Sequence, residues 1–507
     1  MHRLARTAIL AAGLLVPAVW AVSPGAQVAV IPFTPVVIDA DNPRTPDCKA
    51  VGDIDGDGFP DVVIGSSEED GIHWYRYPAW TKYAIRATGT YTTDMQVADV
   101  DGDGDLDVVV PRSDGLVWYE NPRPSGDPAI AAWAGHLIGA AGAQHHDVEV
   151  GDIDGDGRPD VVTRPQGGGA TNVWLQVTPT VWVRLVVGDD PGEGTALGDV
   201  DGDGDLDIAH NGVWLENPRP AGNLAASWPR HEFAPDAPLD VGVLVADLNG
   251  DGRNDLVLGP SESVDRPFVW YESATPRTGP WVAHVIDPAV SYFHTFKAAD
   301  MDGDGDLDLV TAEMHQSSDP DEVSVYRNQG AGLAWSRQVV ATTGSHNLRV
   351  ADIGSDGDLD IVGANWSDGA PDSAVIRLWE NGLAGDAAPE PARLALALNA
   401  SVFQAGDTMT VLATLTPGSL PTPVDAYIVA RLPDGTFLSL AGDGRLVPGL
   451  VPLVRGLAPF PFAGEIFRYT FAGGERAGTY AWMAALTVSG TAQIMGDADE
   501  DLFAIGP

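Results

Sequence analysis

Nine-residue segments crowded with aspartate recur along this 507-residue chain. The first is DIDGDGFPD at 53–61; similar segments begin at 99, 152, 199, 247 and 300, and an altered copy, DIGSDGDLD, begins at 352. Positions one, three, five and nine carry oxygen side chains that a tight loop can direct inward, and position seven can add its backbone carbonyl. Glycines at positions four and six permit the backbone angles that such a curl needs. Because calcium prefers about six to eight oxygen ligands in a flexible shell, the segments predict calcium-binding loops.

The predicted ligands are the side chains at positions one, three, five and nine of each loop. They are Asp53, Asp55, Asp57 and Asp61; Asp99, Asp101, Asp103 and Asp107; Asp152, Asp154, Asp156 and Asp160; Asp199, Asp201, Asp203 and Asp207; Asp247, Asn249, Asp251 and Asp255; Asp300, Asp302, Asp304 and Asp308; and Asp352, Asp356 and Asp360. The seventh loop has Gly354 and Ser355 at positions three and four, so we expect it to bind most weakly. This predicts about six or seven calcium sites. Magnesium fits less well because it prefers a smaller octahedral shell. The alternative that the segments are acidic turns that serve only solubility is disfavoured, because the copies occur at one regular place in each unit.

The composition limits the partners and the location of the protein. The formal net charge of −44 would repel nucleic acid. Arg3 and Arg6 precede an apolar run over 8–19, which predicts a signal peptide over 1–26 and a secreted, periplasmic or cell-surface protein. That run is short for a membrane anchor, and we expect no transmembrane segment after cleavage. Cys48 is the only cysteine, so no intramolecular disulfide can form, and bound cations are the expected source of rigidity.

The elements that position the loops repeat with them. Successive loops begin 46 to 53 residues apart, and each unit contains a strand before the loop, an apolar strand after it and a third strand marked by an aromatic residue. A fourth strand with the pattern W-x-x-x-x-[I/V/F] occurs only six times, so the N-terminal segment VAVIPFTPVVIDA is expected to complete the seventh unit. This periodicity predicts an all-β chain with a seven-bladed β-propeller over 27–385. A linker over 386–393 and an Ig-like β-sandwich over 394–507 follow, because the repeat stops and short alternating strands continue.

The loops and their flanking strands resemble the FG-GAP or VCBS repeats, which include the calcium-loop blades of the integrin α-chain propeller. The resemblance covers the repeated part of the chain and implies the propeller fold and calcium. It does not imply one activity, because the family includes adhesion modules, lectins, lyase-type enzymes and accessory proteins.

Residues six positions before each loop share one register on the strand that should lie nearest the propeller axis. They are Asp47, Thr93, His146, Glu193, Val241, His294 and His346. The catalytic or ligand-binding candidates are His146, His294, His346 and Glu193, together with Glu313 and His315 at the end of a neighbouring strand. Such a cluster could bind a transition metal, exchange protons or hold a polyhydroxylated ligand, whereas the alternative is a solvated channel without chemical function. His136, His231 and His284 occupy one slot in the fourth strand and are expected to be structural.

Two further sequence features carry expectations. The segment E-N-P-R-P at 120–124 and 216–220 predicts a turn with an exposed arginine. Surface aromatic residues such as Trp80 or Trp133 could stack on a sugar.

We hypothesise an extracellular recognition module for a glycan or protein ligand, because no nucleophile–base pair or hydrolase motif is recognisable. The alternative is a sugar lyase or dehydratase that uses the histidine ring. The W-Y-E-N-P and W-x-x-H-x-I strands and the inner histidines are similar to the propeller portion of aldos-2-ulose dehydratases, which implies that alternative. The cupin domains of those enzymes are missing from this chain, which continues into the predicted β-sandwich.

Overall fold

A computed structural model describes residues 30–505, except 41–43, 92, 113, 141–144, 167–168, 191, 319, 367–373, 384–391, 417–422, 443 and 490–493. The predicted signal peptide and most of the predicted linker lie outside these residues. The prediction of an all-β chain is confirmed, since the described residues contain strands, turns and bends but no helix. Accordingly, no helix in the described part of the chain is long and apolar enough to cross a membrane.

Seven antiparallel sheets of four strands follow one another along the chain. The first three sheets contain β2 (Pro46–Gly52), β3 (Asp61–Ser66), β4 (Ile72–Arg76) and β5 (Thr81–Arg86); β6 (Gln96–Ala98), β7 (Asp107–Arg112), β8 (Gly115–Glu120) and β9 (Ala134–Ala140); and β10 (Asp147–Gly151), β11 (Asp160–Arg164), β12 (Thr171–Thr178) and β13 (Val181–Gly188). The next three contain β14 (Ala196–Gly198), β15 (Asp207–His210), β16 (Val213–Leu215) and β17 (Arg230–Glu232); β18 (Gly242–Ala246), β19 (Asp255–Gly259), β20 (Arg266–Glu272) and β21 (Val282–Val290); and β22 (Phe293–Ala299), β23 (Asp308–Glu313), β24 (Val323–Asn328) and β25 (Trp335–Ala341).

The seventh sheet joins the two ends of the repeated region. It contains β26 (Asn347–Ala351), β27 (Asp360–Ala364), β28 (Ile376–Asn381) and the N-terminal strand β1 (Phe33–Asp39). Strand β1 pairs antiparallel with β28, at the edge where the sequence leaves the seventh unit one strand short. This pairing covers a sheet edge that would otherwise expose unpaired backbone groups.

The first strand of every sheet contacts the first strand of the next sheet. These contacts run from β2 through β6, β10, β14, β18 and β22 to β26, and β26 in turn contacts β2. The second strands are rich in β-branched residues and are buried along their length, as in DVVIGS of β3 and DLVLG of β19. Aromatic side chains from the third strands fill the spaces between sheets; Trp74, for example, packs in one cluster with Val108 and Tyr119 of the next sheet.

The C-terminal region forms two further sheets. One contains β29 (Arg393–Leu398), β31 (Thr408–Thr416) and β36 (Phe462–Thr470). The other contains β30 (Val402–Phe403), β38 (Ile494–Ile505), β37 (Gly478–Val488), β32 (Val424–Arg431), β33 (Phe437–Leu440) and β34 (Leu446–Pro448), with β35 (Val454–Leu457) paired to β32. A common apolar core that includes Val411, Ile428 and Trp482 lies between them. Strand β29 begins at Arg393, one residue before the predicted start of this region.

Candidate functional site

Each aspartate-rich segment forms the connection between the first and second strands of its sheet. In the second loop, Oδ1 of Asp99 accepts hydrogen bonds from the backbone N–H groups of Gly102 and Asp103 at 2.8 and 3.0 Å, and Oδ2 accepts one from Gly104 at 3.1 Å. Gly102 and Gly104 have φ values of 81° and 94°, which glycine adopts without strain. The carboxylate at position one therefore holds the loop in a tight curl.

The aspartate at position nine fastens the loop to its own sheet. In the fourth loop, Asp207 Oδ2 accepts the N–H of Val200 at 2.9 Å, and Oδ1 accepts the N–H of Asn217 at 2.8 Å. Equivalent pairs of hydrogen bonds form at Asp61, Asp107, Asp160, Asp308 and Asp360. Burial, partly offset by those hydrogen bonds, raises the pKa of Asp207 to about 8. Without a cation, this buried carboxyl group is therefore held partly protonated near neutral pH.

Carboxylate oxygens from different loop positions converge. Such groups, with ligand atoms within 4.8 Å of one another, are Asp53, Asp55 and Asp57; Asp99, Asp101 and Asp107; Asp152, Asp154 and Asp160; and Asp199, Asp201 and Asp203. The buried Oδ1 atoms of Asp201 and Asp302 have no hydrogen-bond partner among the described residues. A hard cation with several oxygen ligands fits these groups, because it would compensate both the like charges and the unpartnered oxygens.

The loops differ in the charged residue that lies near the end of the third strand. Arg76 pairs with Asp55 in the first loop, and Nη1 of Arg327 lies 3.9 Å from Oδ2 of Asp302 in the sixth. Glutamate occupies this position beside the second, fourth, fifth and seventh loops, as Glu120, Glu216, Glu272 and Glu380. In the first and sixth loops a guanidinium group therefore already compensates part of the charge that a bound ion would compensate. The fourth loop is compensated in the same way from a different position, because Nη2 of Arg277 lies 2.7 Å from Asp201 Oδ2 and 2.6 Å from Asp203 Oδ2.

A repeated asparagine connects each of four loops to the loop of the preceding sheet, a role that the sequence analysis did not predict. Nδ2 of Asn217 donates to the carbonyl of Ile153 at 3.0 Å and to that of Leu206, in its own loop, at 3.1 Å. Equivalent bridges are made by Asn121, Asn328 and Asn381. For three of them the sequence signal is the N of an E-N dipeptide, at 120–121, 216–217 and 380–381, whereas Asn328 follows Arg327.

The turns E-N-P-R-P at 120–124 and 216–220 also differ from expectation. Their arginines were predicted to be exposed, but Arg123 and Arg219 are half-buried. Their guanidinium groups lie over Gly56 and Gly155, position four of the preceding loop, where any side chain would collide with them. This close approach gives these two glycines a packing role beyond their backbone angles.

The residues of the predicted inner register come together around the ring of first strands. His346 Nδ1 lies 2.7 Å from Asp47 Oδ1, and its ring stacks on His294 with a centroid distance of 4.1 Å. Glu193 lies between two histidines: Oε1 is 4.0 Å from Nε2 of His294, and Oε2 is 3.8 Å from Nε2 of His146. Five of the seven register positions therefore form a continuous cluster.

The remaining two register positions are Thr93 and Val241, and both are buried. The carbonyl of Thr93 accepts a hydrogen bond from Asn347. Val241 belongs to an apolar cluster with Leu258 and Phe233. Neither side chain adds an ionisable group to the cluster.

Burial and mutual charge set the ionisation of the cluster. Burial opposes the charged form of His146, but its hydrogen bond with Asp147 and the charges of Asp147 and Glu193 raise its pKa to about 9. Burial also opposes ionisation of Asp47, yet the nearby His346 lowers the pKa of Asp47 to about 2. Burial and neighbouring imidazoles lower the pKa of His294, while burial raises that of Glu193. Such divergent shifts are typical of functional sites.

Glu313 and His315, the other predicted candidates, lie at the margin of this cluster. The Glu313 carboxylate accepts hydrogen bonds from the backbone of Glu322 at 3.0 Å and from Ser317 Oγ at 3.4 Å. The His315 ring lies 6.4 Å from that of His346 and 5.2 Å from that of Trp366. Neither side chain belongs to the group of side chains that face Glu193.

Glu262 is a member of the cluster that sequence reasoning missed. Its carboxylate forms a group with the carboxylate of Glu193 and the imidazole of His294, and the ligand atoms of the three lie within 4.8 Å of one another. Glu262 follows strand β19 and belongs to no repeated position, so no periodic signal could have identified it. The adjacent Ser261 donates a hydrogen bond of 2.7 Å to Glu193 Oε1.

A polar cavity of about 220 Å³ opens beside the cluster. Its lining includes Asp147, Glu149, Glu193, His294 and Asn347. The cavity therefore presents carboxylate, imidazole and amide groups to anything that enters the centre of the ring.

The histidines expected to be structural are half-buried and pack against their sheets. His136, His231 and His284 stack on Trp118, Trp214 and Trp270 and pair with Glu120, Glu216 and Glu272. Trp133, considered in the sequence as a surface aromatic, is only 3% exposed and cannot stack on a sugar. Cys48 is fully buried, and burial raises the pKa of its thiol.

Comparisons with known proteins extend these observations. Residues 53–110, 99–163, 247–311 and 300–363 match a family described as FG-GAP-like repeat. Among solved structures, the chain is similar to the crystal structure of the V. cholerae biofilm matrix protein Bap1, with 13% sequence identity and a TM-score of 0.28. That match covers 90% of this chain and 66% of the other, slightly less than two thirds. No curated protein matches the sequence.

Proposed function

Residues 53–163 and 247–363 of this chain are FG-GAP-like repeats, and from that premise we propose that the protein is a secreted recognition module for an extracellular glycan or protein. In this proposal the seven four-stranded sheets are the blades of a β-propeller, calcium occupies its loops, and the C-terminal sheets form an Ig-like sandwich that acts as a spacer or second binding surface. The closed series of contacts among the seven first strands supports the propeller.

The convergent loop carboxylates are the observation that carries the proposal. Asp201 and Asp302 each bury an oxygen without a hydrogen-bond partner among the described residues, and burial raises the pKa of Asp308 to about 7. A calcium ion would supply the missing partner and the positive charge. The ligands would be the loop side chains at positions one, three, five and nine, and position nine would also hold the loop to its sheet. We expect the seventh loop to be weakest, because Gly354 supplies no side-chain oxygen and Ser355 has a φ of 52°.

The central cavity is the proposed recognition surface. A glycan presents hydroxyl groups that both donate and accept hydrogen bonds, and the cavity offers acceptors such as Glu149 and Asp147 beside the amide of Asn347. Small ligand sites commonly combine a concave surface with a few convergent polar groups. A protein ligand could insert a polar side chain in the same place.

A glycan array and an extracellular-protein pull-down in calcium test this function. The proposal expects a ligand whose binding weakens at least tenfold in Glu149→Gln, which keeps the side-chain shape but removes the charge. Glu69→Gln is the matched control because Glu69 is exposed and lies outside the cavity. Absence of any ligand in calcium, or equal binding by both variants, would argue against recognition through the cavity.

The alternative function, a sugar lyase or dehydratase, is favoured by one observation. The Nε2 atoms of His146 and His294 both face Glu193, which juxtaposes acids and bases in a buried site. Turnover of a keto-sugar or uronate that is lost in His294→Gln, with an unchanged melting temperature, would favour the enzyme. Binding without turnover would favour the recognition module.

A further inference from the structure

We propose that the central cluster is a binding site for one divalent transition-metal ion, with Glu193, Glu262, His294 and His146 as its ligands. This inference is separate from the calcium loops and does not depend on the proposed recognition function. It would give the propeller centre a metal of a different chemical class from calcium, because imidazole nitrogen suits zinc, copper, iron or nickel, whereas calcium prefers oxygen.

The orientation of His294 leaves one nitrogen available for a metal. Its Nδ1 lies 2.8 Å from the backbone carbonyl of His346, and a carbonyl can only accept, so Nδ1 carries the proton. The lone pair is consequently on Nε2, which faces Glu193. Stacking on His346 holds the ring in this orientation. Metal-binding histidines commonly have their second nitrogen fixed in this way.

His146, which directly precedes β10 in the third sheet, repeats the arrangement. Its Nδ1 is 3.1 Å from Asp147 Oδ1, and Asp147 Oδ2 accepts the N–H of Gly194 at 2.8 Å, which fixes the carboxylate. Its Nε2 lies 3.8 Å from Glu193 Oε2. A carboxylate behind a histidine that faces a second carboxylate is the arrangement found at many zinc sites.

Glu193 is held between the two histidines by hydrogen bonds of its own. Ser261 Oγ donates to Oε1 at 2.7 Å, and Gln166 Nε2 donates to Oε2 at 3.2 Å. The side chain is only 3% exposed. These hydrogen bonds compensate part of the cost of burying the carboxylate, and neither histidine is close enough to donate a further one.

The distances from Glu193 to the histidines match ligands of a common ion better than direct hydrogen bonds. Metal–nitrogen and metal–oxygen bonds of about 2.0–2.2 Å place two ligand atoms about 3–4 Å apart, depending on the angle. The observed separations are 3.8 and 4.0 Å, and the Glu262 carboxylate lies within 4.8 Å of its neighbours in the group. Two carboxylates also compensate a doubly charged ion, and binding of the ion would displace any proton from the Nε2 atoms of the imidazoles.

His346 is excluded from the ligand set although it belongs to the same register. Its Nδ1 faces Asp47 at 2.7 Å and its ring lies flat against that of His294. We assign it a positioning role, because its carbonyl group orients His294 and its ring restricts that side chain. Glu193 and His294 also line the 220 Å³ cavity, so a bound ion would have one side open to water or to a small ligand.

The test uses the full chain in excess calcium, which saturates the acidic loops, and adds Zn²⁺ or Co²⁺ alone as the probe. We expect one equivalent of Zn²⁺ to bind by calorimetry, and Co²⁺ to give a visible d–d spectrum from nitrogen and oxygen ligands. Glu193→Gln and His294→Gln should each weaken Zn²⁺ binding by at least 100-fold. Ser261→Ala, which removes only a supporting hydrogen bond, should weaken it about 10-fold.

Matched controls separate the metal site from folding and from adventitious binding. Glu69→Gln and His136→Gln make the same chemical changes outside the cluster and should retain Zn²⁺ affinity. The calcium-dependent melting temperature should be unchanged in every variant. His346→Gln should lose affinity only several-fold. If no stoichiometric Zn²⁺ binds in calcium, or if Zn²⁺ binds equally to the Glu193, His294 and Ser261 variants, the proposal is wrong. Should the first two variants fail to fold, Ser261→Ala and the Co²⁺ spectrum decide the question.

Discussion

Removal of calcium is predicted to destabilise the seven-sheet region strongly. Each loop should contribute a separate part of the loss of stability. Excess chelator would leave carboxylates such as Asp101 and Asp107 close together and partly buried without a compensating charge. The folded state alone brings these groups together, so calcium should bind it in preference to the unfolded chain. Stabilisation then follows by mass action.

The size of the effect follows from the number of loops and the length of the region. At a free concentration about 100 times the dissociation constant, one site stabilises by about 2.7 kcal/mol. The entropy of unfolding is about 2.1 cal/mol/K per residue, which for about 350 residues gives about 0.7 kcal/mol/K. One site should therefore raise the melting temperature by about 4 °C, and six equivalent sites by roughly 20 °C.

A reciprocal pair of substitutions tests the assignment to single loops. Asp101→Asn removes a charge at position three, and Asn249→Asp adds one at the equivalent position. Both side chains use Oδ1 to accept the N–H two residues later, at 3.2 and 3.0 Å, so the loop backbone accommodates either residue. Asn249→Asp also loses the hydrogen bond that Nδ2 donates to Glu272 Oε2 at 3.0 Å, so the effect of calcium is taken as the difference between melting in calcium and in chelator. A tenfold change in calcium affinity, about 1.4 kcal/mol, should lower or raise the melting temperature by about 2 °C.

The measurement is differential scanning calorimetry in calcium and in excess chelator, with elemental analysis of the bound metal. Asp265→Asn is the matched control, because Asp265 is exposed, lies outside the loops and has a φ of 52° that asparagine tolerates. The reasoning would be refuted by an unchanged melting curve after calcium has been shown to be absent. It would also fail if Asp101→Asn lost as much stability in chelator as in calcium.

Three further predictions concern pH, the asparagine bridges and ring closure. Burial raises the pKa of Asp207 to about 8 from 3.8, so above pH 4 the folded state binds more protons than the unfolded state. In chelator, the free energy of unfolding measured by urea titration should therefore fall from pH 4 to 8, and calcium should remove that fall. Asn217→Ala removes the side-chain donor of the Leu206 carbonyl and leaves the Ile153 carbonyl a side-chain donor only at 3.4 Å, from Nη1 of Arg219. It should cost about 1–3 kcal/mol in a denaturant titration, and a cost within error would contradict the bridge. Deleting residues before Asp39 removes β1 and exposes the edge of β28, so size-exclusion chromatography should show aggregation, and a stable monomer would refute closure by that strand.

Much of the fold was predictable because its signals are local. The nine-residue loops, their glycines and the β-branched strands after them lie together in the chain, and the missing fourth strand followed from counting. The central register was also predictable, since residues at one position of a repeated strand face the same way. Glu262 escaped prediction because it belongs to no repeat, and the exposed-arginine prediction for Arg123 was wrong because it ignored the neighbouring sheet.

The sequence by itself determined the period, the acidic loops and the all-β character of the chain, because backbone stereochemistry and side-chain alternation act over a few residues. Only the tertiary structure decided which side chains meet. The asparagine bridges join residues 64 to 80 positions apart, and Glu193 faces two histidines from other sheets. Those contacts depend on how the seven sheets are arranged relative to one another, which no local sequence pattern encodes.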